Sequence, residues 1–153
     1  MNFKTQYIRL SHKVCDSLWH AQWCTKYRFN MFRKFKYKSL IEACIRKTCH
    51  RHNLEILILK IMPDHIHIIL RLPPRMLIDK AVQLIKGGSS YIFFRAHPKA
   101  RLRYPKGHLW SPGNFHTTIG YSDFDTTFNY IQHQEELHQS STLTQSTLGN
   151  SGL

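Results

Sequence analysis

The chain of 153 residues has the length of one domain of ordinary size, and its hydrophobic fraction of 42% excludes wholesale disorder. All 22 Lys and Arg residues and five of the nine acidic residues lie within the first 106 residues, which therefore carry a net charge of +17. A folded body this cationic favours a polyanionic partner. Nucleic acid is the first candidate and an anionic membrane surface is the second.

The chain ends and the hydropathy pattern set the expected domain limits. No apolar run approaches the ~18 residues of a membrane-spanning helix, and the N-terminus lacks an apolar export signal, so no membrane partner is expected. The four cysteines form no paired CxxC motif, which favours reduced thiols in a cytoplasmic protein. We predict a flexible N-terminus over residues 1–13, a folded domain over 14–138 and a disordered polar tail over 139–153.

Alternating periodicities predict the elements of this domain in chain order. Strands are expected over Leu18–Tyr27, Leu54–Ile61, His65–Leu72 and Leu109–Ile119. Helices are expected over Lys38–His52, from Leu77 through Phe94, and from Ser122 to about Gln139; Ser39 and Glu42 have the spacing of a capping box. The order β-α-β-β-α-β predicts an α+β fold, a ferredoxin-like split βαβ sandwich. Its antiparallel sheet would carry both helices on one face, followed by one extra C-terminal helix.

His65-Ile66-His67 is the sharpest local motif. In a strand, residues i and i+2 point to the same face, so the two imidazoles would stand side by side. Such a pair suits a borderline divalent metal ion. The plainer interpretation is two surface histidines in a chain that has eleven.

Tyr130 and Gln134 form a second pair, on the last predicted helix. At i and i+4 they share one helix face. Tyrosine is a known covalent nucleophile, and glutamine supplies a neutral oxygen ligand. The alternative is a tyrosine that only anchors an amphipathic helix.

Basic residues alternate with aromatic ones over residues 27–38 and again over 98–106. This composition suits phosphate contact combined with base stacking, although a solvated charged surface would look similar. The candidate DNA-binding residues are Arg28, Lys34, Lys36, Lys86, Arg101 and Arg103.

Six motifs together resemble a known family. They are residues 23–28 (WCTKYR), 62–68 (MPDHIHI), 83–90 (QLIKGGSS), 109–111 (LWS), 118–120 (TIG) and 130–134 (YIQHQ). As a set, and in this order, they resemble the single-tyrosine HUH transposases of the insertion-sequence-200/605 type. The resemblance covers roughly residues 18–137.

The resemblance implies a fold, a reaction and a site. The transposase domain over 14–138 would have a ferredoxin-like core and a C-terminal helix that carries the catalytic Tyr130. His65, His67 and Gln134 would bind Mg²⁺ or Mn²⁺. The enzyme would cleave and rejoin single-stranded DNA at insertion-sequence ends, recognised through subterminal hairpins, by way of a 5′-phosphotyrosine. It would be a homodimer with shared active sites, located in the cytoplasm of a prokaryote and associated with the nucleoid.

Two other functions remain open on the sequence alone. Ferredoxin-like sheets with aromatic faces also serve as non-catalytic modules that bind single-stranded nucleic acid. A domesticated relative that acts on dispersed repeats would use the same chemistry as a mobile-element transposase.

Overall fold

A computed structural model describes residues 8–10, 13–15, 17–120, 123–134 and 136 of the chain. Its strands are β1 (Ile8–Leu10), β2 (Lys13–Cys15), β3 (Leu18–Cys24), β4 (Glu55–Ile61), β5 (His65–Arg71) and β6 (Phe115–Thr118). Its long helices are α1 (Phe35–Arg51) and α2 (Ile78–Ala96), and residues 124–134 form a further helix, α3. None of the described helices is both long and apolar enough to cross a membrane.

Strands β3 to β6 form one antiparallel sheet in the order β4-β5-β3-β6. The first and second strands of this unit, β3 and β4, are joined through α1 and separated in the sheet by β5, which is the split βαβ arrangement. The predicted ferredoxin-like fold is therefore confirmed.

One face of the sheet packs against α1 and α2. Ile66, Ile68 and Leu70 alternate along β5 and are completely buried in this core. The helices contribute residues at helical spacing, which are Ile41, Cys44 and Ile45 from α1 and Ala81, Val82 and Ile85 from α2. Because these residues are buried against the helices, the alternate residues of β5 must point to the opposite face of the sheet.

The opposite face of the sheet is covered in part by α3. Ile131 from this helix is completely buried in a second cluster with Leu18, Ile69 and Ile119. The sheet is therefore enclosed by two long helices on one side and by α3 on the other. This last helix was expected to reach about Gln139; residues 137–139 lie outside the described residues.

The N-terminal strands β1 and β2 pair with each other and form a separate two-stranded ladder. They fall largely within the segment that was predicted to be a flexible tail. The proposed tail over 139–153 lies outside the described residues, so the domain limits stay a prediction.

Two predicted strands are longer than those observed. The first ends at Cys24, because the next residues leave the sheet in a tight turn over Lys26–Arg28, where Tyr27 and Arg28 have positive φ angles of 61° and 52°. The last is reduced to Phe115–Thr118, and Trp110 contributes only an isolated bridge to Thr25.

The predicted start of the first helix is also wrong. The helix begins at Phe35, three residues before the expected Lys38, and its N-cap residue Lys34 makes no side-chain capping bond. Ser39 lies inside the helix, and Glu42 accepts hydrogen bonds from Arg46 instead of forming a capping box. Buried Met31 and Phe32 anchor the chain just before the helix.

Two adjacent glycines inside α2 offer a matched test of this packing. A Cβ atom on Gly88 would lie 2.5 Å from Cγ2 of Thr48, which is buried in α1, whereas a Cβ on Gly87 would meet nothing within 4 Å. We expect Gly88→Ala to lower the free energy of unfolding by about 1–3 kcal/mol through overpacking. Gly87→Ala should raise it by about 0.5–1 kcal/mol, because alanine is the better helix former. Urea denaturation measures both, and an equal gain in the two variants would contradict the close contact between the helices.

Candidate active site

The start of β5 presents two histidines on one face of the sheet. A tight turn over Pro63 and Asp64 precedes the strand and is closed by a hydrogen bond from the Met62 amide to the His65 carbonyl (2.8 Å). The His65 and His67 rings follow at i and i+2, with centroids 5.2 Å apart and planes inclined by 75°. The strand therefore brings the predicted imidazole pair together, on the face opposite α1 and α2.

His65 is oriented by the residue before it. Its Nδ1 lies 2.6 Å from Oδ1 of Asp64, and Oδ2 of the same carboxylate lies 3.4 Å from Nε of Arg28. A carboxylate only accepts hydrogen bonds, so Nδ1 of His65 is the donor in this pair. This is the arrangement that commonly orients a metal-binding histidine, with its Nε2 directed to the ion.

His67 is oriented by a residue that the sequence analysis missed. Its Nδ1 lies 3.2 Å from Nε2 of His20 on the neighbouring strand β3. The two rings lie edge to edge, with centroids 5.5 Å apart and planes within 18° of parallel. Both side chains are buried, and burial lowers the pKa of His20, which favours the neutral ring.

The sequence signal for His20 was weak but present. The two histidines are 47 residues apart in sequence, so their contact arises only from the pairing of β3 with β5. Alternation along β3 puts His20 on the same face as Leu18, away from the buried Ala21 and Trp23. Pairing β3 with β5 in the correct register is enough to predict the contact between His20 and His67.

Helix α3 brings Tyr130 to the histidines. The Tyr130 ring lies 6.4 Å from the His67 ring, nearly perpendicular to it, and stays more than half exposed. Gln134 is half-buried and lies one helical turn further along the same face. Residues 121 and 122, which connect the sheet to α3, lie outside the described residues.

These residues fit a divalent metal ion. Nδ1 of each histidine faces a hydrogen-bonding partner, so coordination would use Nε2 of both rings. No group of three or more His, Cys, Asp or Glu side chains arranged for a metal occurs among the described residues. A third protein ligand would therefore be of another type, and the amide oxygen of Gln134 suits a hard cation such as Mg²⁺.

Comparison with known proteins identifies the family. The family model for IS200-like transposases matches residues 13–134, which is most of the chain. The chain belongs to this family. It is a DNA transposase, as the resemblance in its motifs implied.

Two curated relatives illustrate the similarity. The transposase is 27% identical over 118 residues to the ISDra2 transposase TnpA of Deinococcus radiodurans, with 77% of this chain and 84% of that protein covered. It is 28% identical over 127 residues to the transposase for insertion sequence element IS200 of Salmonella typhimurium, with 83% and 82% covered.

Solved structures share the fold. A crystal structure of a Deinococcus radiodurans protein assigned as a transposase has a TM-score of 0.66 and 27% identity, and covers 83% of this chain and 97% of that one. A REP-associated tyrosine transposase bound to a REP hairpin has a TM-score of 0.61 and covers 88% of this chain and 74% of that one. Its identity of 19% shows a common fold only.

Lys86 of the transposase makes contacts inside the protein. Its Nζ donates to the carbonyl oxygens of Ser111 (2.9 Å), Pro112 (3.3 Å) and Gly113 (3.0 Å), and it lies 5.8 Å from the centre of the Trp23 ring. Burial lowers its pKa. The ammonium group therefore holds the loop before β6 with its N–H donors, and its contact with DNA stays a prediction.

The other five predicted DNA-binding residues are exposed and lie in different places. Arg28 pairs with Asp64 at the histidine edge of the sheet, and Nζ of Lys36 lies over the Tyr37 ring. Arg101 lines a smaller cavity with Tyr91 and Gly107. Lys34 and Arg103 come together in a cleft.

This basic cleft has a volume of about 500 Å³ and lies between the start of α1 and the short helix Pro98–Arg103. Arg33, Lys34, Lys99 and Arg103 supply four cations, and no acidic residue lines it. In the part of the chain that the structure describes, none of the four forms an ion pair. Four uncompensated cations in one concave surface favour a polyanionic ligand.

Proposed function

We propose that this transposase cleaves and rejoins single-stranded DNA, with Tyr130 as the nucleophile and with Mg²⁺ or Mn²⁺ held by His65, His67 and Gln134. The observation that carries the proposal is the 6.4 Å separation between the Tyr130 and His67 rings on the sheet face that holds both histidines. This spacing places the Tyr130 ring beside the imidazole pair that we propose to hold the ion. The nucleoid of a prokaryotic cytoplasm is the expected location.

Tyr130 would carry the covalent step. Its Oη attacks the phosphorus atom in line as the phenolic proton leaves, the P–O3′ bond breaks, and the departing 3′ oxygen takes up a proton. The products are a 5′-phosphotyrosine and a free 3′-OH. One phosphodiester is exchanged for another, so a 3′-OH from another strand can reverse the step without an external energy source.

The histidines and glutamine would prepare the phosphate for attack. A bound divalent ion polarises a phosphoryl oxygen and stabilises the negative charge that develops on it. Asp64 holds the His65 ring in an orientation that would present Nε2 to the ion. The exposed position of Tyr130 leaves its hydroxyl accessible to an incoming DNA strand.

DNA would bind across the cationic surface. Arg28 and the cleft residue Arg33 both belong to the segment 26–33, which also carries the exposed rings of Tyr27 and Phe29. Cations bind the phosphates, and exposed aromatic rings can stack on unpaired bases. The REP hairpin bound by a tyrosine transposase of the same fold supports single-stranded DNA with subterminal hairpins as the substrate.

The proposal includes a homodimer with shared active sites. Ile131 packs against Leu18, Ile69 and Ile119 of the sheet, and the same contacts would form if α3 came from a second, identical chain. The connection through residues 121 and 122 decides between the two arrangements. The family resemblance favours the exchanged helix.

Removing the phenolic oxygen of Tyr130 tests the nucleophile. Tyr130→Phe keeps the ring beside His67, so we expect normal binding of hairpin DNA but complete loss of the covalent protein–DNA adduct. Tyr91→Phe is the matched control, because Tyr91 is an equally exposed helical tyrosine remote from the histidines. Labelled single-stranded element ends incubated with Mn²⁺ and run on a denaturing gel measure the adduct. A surviving adduct in Tyr130→Phe would assign the nucleophile elsewhere; absence of any adduct in the unmodified protein would favour a non-catalytic binding module.

Removing the metal ion should separate cleavage from binding. In EDTA, or with His65→Ala and His67→Ala combined, we expect cleavage to fall below detection while DNA affinity changes less than about threefold, because cationic contacts supply most of that affinity. Gel-shift and nicking assays on the same samples measure the two properties. Cleavage at full rate in EDTA would remove the metal ion from the mechanism.

The basic cleft predicts how the affinity for DNA depends on salt concentration. We expect Arg33→Met with Lys99→Met to weaken DNA binding and to reduce the slope of log affinity against log salt by about 1 per cation removed. Lys86→Met should leave the slope unchanged and lower the free energy of unfolding instead, because its ammonium group binds backbone carbonyls. Fluorescence titrations from 50 to about 300 mM salt compare the variants. A smaller slope in Lys86→Met alone would return that residue to the DNA-binding set.

Subunit mixing tests the shared site. Tyr130→Phe protein and His65→Ala/His67→Ala protein are each expected to be inactive. If α3 is exchanged, mixed dimers contain one complete site, and nicking reappears with DNA attached to the histidine-deficient chain. Isolated mixed dimers that stay inactive would show that each chain builds its own site.

A further inference from the structure

The contact between His20 and His67 lies on the histidine face and has no part in the reaction proposed above. Nε2 of His20 lies 3.2 Å from Nδ1 of His67, within hydrogen-bonding distance, and both residues are less than 10% exposed. Two neutral imidazoles share one proton across such a contact, so one nitrogen donates and the other accepts. The direction of this hydrogen bond determines whether Nε2 of His67 carries a proton or a lone pair.

Metal binding permits only one direction. A neutral His67 that coordinates an ion through the Nε2 lone pair carries its proton on Nδ1, which then donates to Nε2 of His20. His20 must in turn carry its own proton on Nδ1. In the reverse direction His67 would be protonated at Nε2, and that nitrogen could not coordinate.

The fold holds His20 in place to make this contact. Pairing of β3 with β5 sets His20 opposite Ile69, two residues from His67 on the same face. The two rings lie within 18° of parallel, and the edge of the Phe115 ring closes on His20 from β6 at a centroid distance of 6.3 Å. Residues on β3, β5 and β6 therefore together fix the orientation of the His20 ring.

The two histidines of the motif thus have different partners. His65 donates to the carboxylate of Asp64, which lies next to it in the sequence. His67 faces the imidazole ring of His20 on another strand. Each partner can accept the Nδ1 proton, which leaves Nε2 of each ring as the nitrogen that could coordinate an ion.

We propose that His20 is the positioning residue for His67: its Nε2 accepts the Nδ1 proton of His67 and so keeps the Nε2 lone pair of His67 available to the divalent ion. This inference rests on the metal-binding role proposed above for His65 and His67.

The test is Mn²⁺ binding to the DNA-free protein, measured by electron paramagnetic resonance of the unbound ion. His20→Phe keeps a flat ring in the sheet and removes the acceptor, so we expect a 10- to 100-fold weaker Mn²⁺ affinity, the range typical for loss of such a partner. His20→Gln restores an acceptor atom and should bind within a few-fold of the unmodified protein. His116→Phe, the same change on β6 but on the other face of the sheet, should leave the affinity unchanged.

A second measurement does not depend on the variants folding. Long-range ¹H–¹⁵N correlation spectra of the metal-free protein report which ring nitrogen of His67 carries the proton. We expect the Nδ1–H form in the unmodified protein.

The outcomes separate the two proposals. An unmodified protein that binds Mn²⁺ no better than His65→Ala/His67→Ala would overturn the proposed metal site and the role of His20 with it. Tight binding that His20→Phe leaves unchanged, or an Nε2–H form of His67 in the unmodified protein, would overturn the role of His20 alone.

Discussion

The alternation of side chains along β5 is the constraint on which the site depends. Ile66, Ile68 and Leu70 are completely buried against α1 and α2, so the strand cannot slip by one residue without moving this whole set to the wrong face. Because the core holds the register, His65 and His67 stay on the opposite face, where α3 packs. The apolar residues of the strand thus determine the geometry of a polar site that they do not touch.

Much of this arrangement could be predicted from local pattern. The Pro63-Asp64 turn, the two flanking β-rich runs and the helical spacing from Ile78 onward predicted the order of elements, because each signal lies within a short window. The spacing of His65 with His67, and of Tyr130 with Gln134, predicted which side chains share a face. The resemblance to a family then supplied their roles.

What failed depended on contacts between distant segments. His20 is invisible as a site residue until β3 is paired with β5. The carbonyl groups of residues 111–113, which were expected within the last strand, are instead bound by Lys86 from α2, a contact that no local rule anticipates. The same contact leaves Lys86, a predicted DNA-binding residue, half-buried against backbone carbonyls, while Arg33 and Lys99 line the cleft.

The tight turn over Lys26–Arg28 holds two residues in a strained backbone conformation that lowers the stability of the fold. Tyr27 and Arg28 both adopt positive φ angles that glycine would tolerate freely, at a cost of order 1–3 kcal/mol for each residue with a side chain. Tyr27 is exposed and Arg28 reaches the carboxylate beside His65, so neither side chain repays this cost through burial. The turn is thus a place where stability is traded against the display of a ring and a cation. Selecting variants for thermal stability alone would favour glycine at these two positions and would remove an exposed aromatic ring and a cation from this turn.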